Sequence, residues 1–261
     1  MRRSVVVLLG ATVLSVGVAQ IANAADMPTK APAYAPAPVY NWTGFYGGLN
    51  AGGSWGQATN SYNFVTAAGV VGAITNDSSN PNGFIGGGQL GYNWQVNSWV
   101  FGLETDIQGS TQSGSSTGAG VLTTCGAGCS VSATDKVTWF GTTRGRIGFA
   151  SGSWLAYATG GLAYGGVKSN GAESAPVIST TVFPITGGST TRTGWTLGAG
   201  VEAAITGKWT WKIEYLFMDL GTTNFAVPIP PGTPFAAGNI TQSMHVTDSI
   251  VRAGVNYRFG G

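Results

Sequence analysis

All eleven prolines of this 261-residue chain fall at positions 28, 32, 36, 38, 81, 176, 184, 228, 230, 231 and 234, and the segments between these clusters alternate apolar and polar residues. Proline has no N–H to give a central β-ladder, and a closed sheet has no edge to host it, so the prolines mark what is not strand. The alternation predicts eight strands, near 45–55, 83–96, 99–109, 136–149, 154–166, 193–205, 209–220 and 246–259. The connections are short at 97–98, 150–153 and 206–208, and long and rich in Gly, Ser, Thr and Asn at 56–82, 110–135, 167–192 and 221–245. Short turns at one end and long loops at the other are the pattern of bacterial transmembrane barrels. Four such loops do not suit a compact soluble domain.

Composition supports that reading. Charged residues make up 8% of the chain, against about 25% in an ordinary soluble domain. A conventionally charged, wet surface is therefore excluded. No apolar run long enough for a spanning helix follows the first two dozen residues, which excludes a helical membrane protein. The 43 glycines suit tight barrel curvature and close strand packing.

Residues 1–24 order themselves as a charged start (Arg2, Arg3), a Val/Leu-rich stretch from Val5 to Val18, and the small-residue end Ala22, Asn23, Ala24. That is the layout of a cleavable secretory signal peptide, with cleavage expected after Ala24. Residues 25–41, with four prolines, read as an extended periplasmic linker, and 42–261 as the barrel. Of twelve basic residues, Arg2 and Arg3 fall in the leader, leaving ten against ten acidic ones. A neutral mature protein with one His has no clustered basic surface for nucleic acid.

Period two assigns the faces. On 99–109, Trp99, Phe101, Leu103, Thr105 and Ile107 share the face expected to meet lipid, and Gly102, Glu104, Asp106 and Gln108 the other. The same parity turns Leu90, Tyr92, Trp94 and Val96 outward, with Trp195, Leu197, Ala199, Val201, Trp209, Trp211, Ile213, Tyr215 and Phe217. Strand 154–166 is ambiguous, because Ala, Gly and Thr occupy both of its faces. Phe45, Trp94, Trp99, Phe149, Trp154, Trp209, Tyr257 and Phe259 gather at the short-turn ends, and Trp55, Phe84, Trp139, Tyr164, Trp195 and Phe217 near the opposite ends. Two such belts are what amphipathic rings form at two membrane interfaces, whereas core aromatics of a soluble sandwich would sit mid-strand.

Inward positions carry Glu104, Asp106, Glu202 and Glu214 with Arg144, Arg146, Lys212, Arg252 and Arg258. An eight-stranded barrel is only wide enough for its own side chains, so this lumen charge network is expected to be a paired plug. A narrow, gated conductance is the functional alternative.

Several motifs carry less. The string GGGQLG at 86–91 fits a dinucleotide fingerprint but opens no helix, so the phosphate cradle is missing. Cys125 and Cys129 could close a small disulfide in an oxidising compartment; as metal ligands they lack a His or acid cluster to complete a tetrahedral site. No cofactor is implied. His245, with Ser243 nearby, invites comparison with surface hydrolases, yet a base needs an orienting partner and a nucleophile in reach, and His245 beside Asp248 in a loop reads as a solvated residue.

The segments WTGFYGGLNAGGSWG at 42–56 and RAGVNYRF at 252–259 resemble the small outer-membrane β-barrel family. That family includes abundant, porin-like surface proteins of rhizobia and their relatives, and is similar in architecture to the OmpA transmembrane domain. The resemblance covers nearly the whole chain after the leader. It implies residence among the lipids of the outer membrane and insertion by the barrel assembly machinery, which reads a final strand ending in an aromatic; Val255, Tyr257 and Phe259 match that assembly signal. Gly260 and Gly261 after the aromatic depart from it. Some relatives are similar in a mature start Ala-Asp that is joined to peptidoglycan, and Ala25 with Asp26 matches. The expectation is a non-enzymatic structural and surface barrel that supports envelope integrity and is tethered at Ala25. A narrow porin is the first rival, and an adhesin or a surface enzyme the others.

Overall fold

The computed structural model describes residues 40–66, 69–119, 130–174, 182–185, 189–228 and 238–259. They form ten strands: β1 (Gly44–Thr66), β2 (Gly69–Ser79), β3 (Asn82–Val96), β4 (Trp99–Ala119), β5 (Ser130–Ser151), β6 (Trp154–Ser174), β7 (Val182–Ile185), β8 (Ser189–Thr206), β9 (Trp209–Pro228) and β10 (Gly238–Phe259). Eight run side by side in the order β10-β9-β8-β6-β5-β4-β3-β1, and β10 pairs back onto β1, so the sheet closes. β2 pairs with β1 and β7 with β6, outside the closed set. The eight-stranded antiparallel barrel expected from the proline spacing is the observed fold.

The three short turns explain its regularity at one end. Asn97, Gly152 and Gly207 take φ of 56°, 60° and 54°, the left-handed backbone that lets a two-residue turn follow the twist of its strands. β1 begins and β10 ends at this same rim, where Phe45 faces Phe259 across the ladder.

At the other end the expected long loops are corrected. Much of 56–82, 110–135, 167–192 and 221–245 is strand: β1 continues to Thr66, β4 to Ala119, β6 to Ser174 and β9 to Pro228, and all four hairpins extend past the aromatic residues. Beyond the apolar band the outer face of a strand meets water and the inward face packs polar residues such as Asn60, Ser79, Asp135 and Ser169, so the ladder persists on Gly, Ser, Thr and Asn with no apolar alternation to reveal it. Two prolines are also corrected. Pro184 lies in β7, a short strand paired on one side only, and Pro228 is the last residue of β9. Neither place requires a central ladder N–H.

The outer wall is apolar. Leu49, Phe84, Leu90, Trp94, Leu103, Ile107, Leu162 and Leu197 all stand exposed on it, and the ambiguous β6 resolves with Trp154 and Leu162 outward and Leu155, Tyr157 and Ala163 inward. Both aromatic belts are built of contacting rings. Trp99 meets Phe149 at 5.8 Å, Trp154 meets Trp211 at 5.6 Å, and Tyr257 touches both Trp209 and Phe259 at the short-turn rim. Trp139 with Tyr164 and Trp195 with Phe217 make the second belt. The stretch from Phe84 to Trp94 on β3 matches the ~9–11 residues a tilted strand needs to cross a bilayer.

Inside, inward glycines leave room for rings. A side-chain carbon on Gly91 would run into the Tyr46 phenol, and one on Gly200 into that of Tyr157.

Candidate functional site

Among the described residues the lumen gathers eight buried, ion-paired side chains, and it is layered. Along β9 the inward positions run Lys212, Glu214, Leu216, Met218 and Leu220 away from the short turns, and along β10 they run Arg252, Ile250, Asp248, Val246 and Met244. Asp248 falls opposite Met218 among the apolar positions and accepts from Gln112 Nε2 of β4 at 2.8 Å.

At the short-turn rim the chain ahead of β1 folds into the mouth. Trp42, 2% exposed, packs with Val100, Ala150, Leu155 and Tyr157 from β4, β5 and β6. Its backbone N–H donates to Gln95 Oε1 at 2.8 Å, and Tyr40 stacks edge-on against its indole at 4.8 Å. Arg258 is inward by parity, but its guanidinium lies 4.5 Å above the Tyr40 ring, half-buried at the rim and outside the central ion pairs. Its expected place in the network is therefore corrected: it is one rung too close to the strand end to reach a carboxylate. Burial pushes the Tyr40 hydroxyl above its ordinary value, against the pull of Arg258.

Above the rim, Arg146 is clasped by two phenols and one acid. It donates to Glu202 Oε2 at 2.8 Å and to Tyr46 Oη at 3.2 Å, and its guanidinium sits 3.8 Å over the Tyr157 ring. Glu202 also accepts from Thr210 Oγ1 at 2.5 Å and Asn256 Nδ2 at 2.9 Å. Asn256 accepts from Gln89, which accepts from Asn50.

The centre follows. Glu104 takes Lys212 Nζ at 2.9 Å, Arg144 Nη2, and the Tyr46 hydroxyl at 2.8 Å. Arg144 reaches Asp106 at 2.9 Å and Glu214 at 3.0 Å, while Arg252 reaches Asp106 at 2.9 Å and Glu214 Oε2 at 2.6 Å. Thr142 and Tyr157 donate to Asp106 and Glu214. Four acids (Glu104, Asp106, Glu202, Glu214) thus meet four bases (Arg144, Arg146, Lys212, Arg252), with no more than 4% of any of their side chains exposed. Buried charges survive only when paired and hydrogen-bonded, and these are.

Sequence reasoning missed what lies beyond. Phe140, Leu216, Met218, Leu220, Met244, Val246 and Ile250 form a buried apolar layer inside the barrel, with Ile85, Val137 and Val167. The parity that turned Lys212 and Glu214 inward also turns Leu216, Met218 and Leu220 inward, so the signal was present. At the far end Asp135 accepts from Ser79 at 2.8 Å, Ser169 at 2.7 Å and Asn60 at 3.3 Å.

The remaining candidates separate. His245 stands in β10, not in a loop, and on the face opposite the inward Asp248. Its ring nitrogens face Thr222 Oγ1 at 3.1 Å and Asp219 Oδ1 at 3.6 Å, while Ser243 donates to Asn224. The GGGQLG string lies within β3, without a helix. Val255 and Phe259 point outward, and Tyr257 is wedged between Trp209 and Phe259. Ala25, Cys125 and Cys129 lie outside the described residues, and no group of three or more His, Cys, Asp or Glu suited to a metal occurs among the described ones.

A closed antiparallel barrel with an apolar wall, two aromatic belts and a charged interior inverts the usual globular order, as a bilayer requires. The sequence profile of the outer membrane protein beta-barrel domain matches residues 11–259. This chain belongs to the outer-membrane β-barrel family. It is 40% identical over 249 residues to the 31 kDa outer-membrane immunogenic protein of Brucella melitensis, covering 91% of this chain and 93% of that one. It is 31% identical to the 22 kDa outer membrane protein of Rhizobium leguminosarum over 72% of this chain and 69% of the relative. The outer membrane protease OmpT from Escherichia coli aligns with 83% of this chain and 97% of its own at a TM-score of 0.46 and 8% identity, and nothing of its activity is carried over. As a member of this family the protein resides in the outer membrane, with the short turns on the periplasmic side and the long hairpins outside.

Proposed function

We propose that this outer-membrane barrel is a non-enzymatic, non-conducting structural and surface protein that contributes to envelope integrity. The observation that carries the reading is the bridge made by Arg144, which joins β4 to β9 through Glu104, Asp106 and Glu214. Trp42 below it and the apolar layer above it place two more obstructions in series along the axis. An ion crossing this lumen would have to break paired, buried charges and then wet an apolar section.

A leader ending at Ala24 would deliver the chain, the proline-rich linker that begins at Ala25 and ends where Tyr40 enters the mouth would cross part of the periplasm, and Ala25 would join it to peptidoglycan. Val255, Tyr257 and Phe259 would serve the assembly machinery. These parts rest on sequence alone. Mass spectrometry of muramidase-treated sacculi should find Ala25 with its amine linked; a free amine throughout would remove the tether.

Purified protein in planar bilayers should give no discrete conductance steps. Reproducible steps would establish the rival reading of a narrow porin. Electrophoresis with and without boiling reports the closed barrel independently, since a folded barrel resists detergent and shifts on heating.

A further inference from the structure

Lys136 on β5 and Lys168 on β6 are directly opposed in the antiparallel ladder and both are exposed on the outer wall. Like charges in that position repel, and a cross-strand pair brings their Cβ atoms to about 5 Å. The register continues the row on both sides: Ser113 on β4 faces Lys136, and Ser189 on β8 faces Lys168, each exposed. The result is a line Ser113, Lys136, Lys168, Ser189 across four strands, ~14 Å long at the usual strand spacing.

Its height is set by the outer aromatic belt. A side-chain carbon on Gly166 would run into the Trp139 indole, so that ring lies across the outer face of β6, and Lys168 is the next residue outward on the same face. The backbone at Lys168 therefore lies about 7 Å further along β6 than Gly166, on the headgroup side of the outer aromatic belt.

Among the described residues no acidic side chain pairs with them. Of the acidic side chains described, Glu104, Asp106, Asp135, Glu202, Glu214 and Asp248 are buried in the interior, and Asp219 on β9 is engaged by His245. Neither lysine has an ion pair among the described residues. Against the paired charges of the lumen centre, these two lysines make a doubly cationic row with hydroxyl donors at both ends, on the wall that a lipid headgroup reaches from the membrane side.

We infer that Lys136 and Lys168, flanked by Ser113 and Ser189, form a binding site for a phosphorylated headgroup of an outer-leaflet lipid. Two ammonium groups and two hydroxyls supply charge-assisted donors to phosphate oxygens, and the anion removes the repulsion between the lysines.

The test uses the full chain folded in detergent, with lipid A carrying its phosphates as probe and native mass spectrometry as readout. The paired change Lys136→Gln with Lys168→Gln should lower adduct occupancy at least tenfold, while Lys136→Arg with Lys168→Arg keeps it. Lipid A stripped of phosphate should bind wild-type protein no better than the Gln pair binds the phosphorylated form. Equal occupancy for wild type and the Gln pair, or for the two lipids, would overturn the site. Retention of inorganic phosphate alone at the same occupancy would overturn its assignment to a lipid. A second readout needs no bound lipid: in plain detergent Lys168→Glu should raise the unfolding midpoint above wild type, and added lipid A should reverse that order. No rise in the midpoint would remove the repulsion argument.

Discussion

Arg144 on β5 donates to Glu214 on β9 at 3.0 Å, so two strands that are not neighbours in the sheet are tied through the middle of the barrel. The same guanidinium also serves Glu104 and Asp106 on the adjacent β4. Its removal leaves three carboxylates short of a partner in a space closed to solvent. Arg144→Met should cost about 3–5 kcal/mol, read as a lowered midpoint in denaturant unfolding from vesicles followed by tryptophan emission. A loss under about 1 kcal/mol would mean that the remaining bases redistribute freely.

Tyr46 is fitted to Gly91 beneath it. Gly91→Ala should cost about 1–3 kcal/mol through overpacking. Combined with Tyr46→Ala, which removes the obstructing ring, the glycine change should lose most of that cost, and a double-mutant cycle measures the coupling.

Trp42 closes the periplasmic mouth against Leu155 and Val100. Trp42→Ala should destabilise the barrel by about 3 kcal/mol, yet leave planar bilayers silent, because the charged centre still blocks the axis. Conductance steps appearing in this variant would make Trp42 the sole seal.

His245 is part-exposed on the outer wall and interacts only with Thr222 and Asp219 among the described contacts. His245→Ala should shift stability by no more than about 0.5 kcal/mol and leave unchanged any hydrolytic activity assayed on whole cells. Abolition of such an activity would support the surface-enzyme reading.

Within the membrane the fold was legible because each strand there meets lipid on one side and side chains on the other. That contrast wrote the parity of β4 directly into Trp99, Phe101 and Leu103 against Glu104 and Asp106, and that of β9 into Trp209, Ile213 and Tyr215 against Lys212 and Glu214. It failed on β6, where Ala156, Ala158, Thr159 and Gly160 suit either face, and it vanished outside the bilayer, where Ser115, Thr117 and Ser132 pair as strand without needing to. The central charges were legible for the same reason, since Glu and Arg on a lipid-facing position would be prohibitive. Arg258 was placed wrongly because parity gives direction and not depth. Trp42 was not legible at all: a residue ahead of the first strand has no period to obey, and its burial depends on the space left between Val100 and Leu155.

The ladder between β1 and β10 runs unbroken from Phe45 with Phe259 to Thr66 with Gly238. It joins the two described strands farthest apart in the chain, so the seam cannot be completed until β10 has been delivered. Until then every partial barrel exposes two open edges, each a template for pairing with another chain. Closure of this barrel is thereby tied to delivery of β10, because no other described strand pairs with the free edge of β1 along its membrane-spanning length.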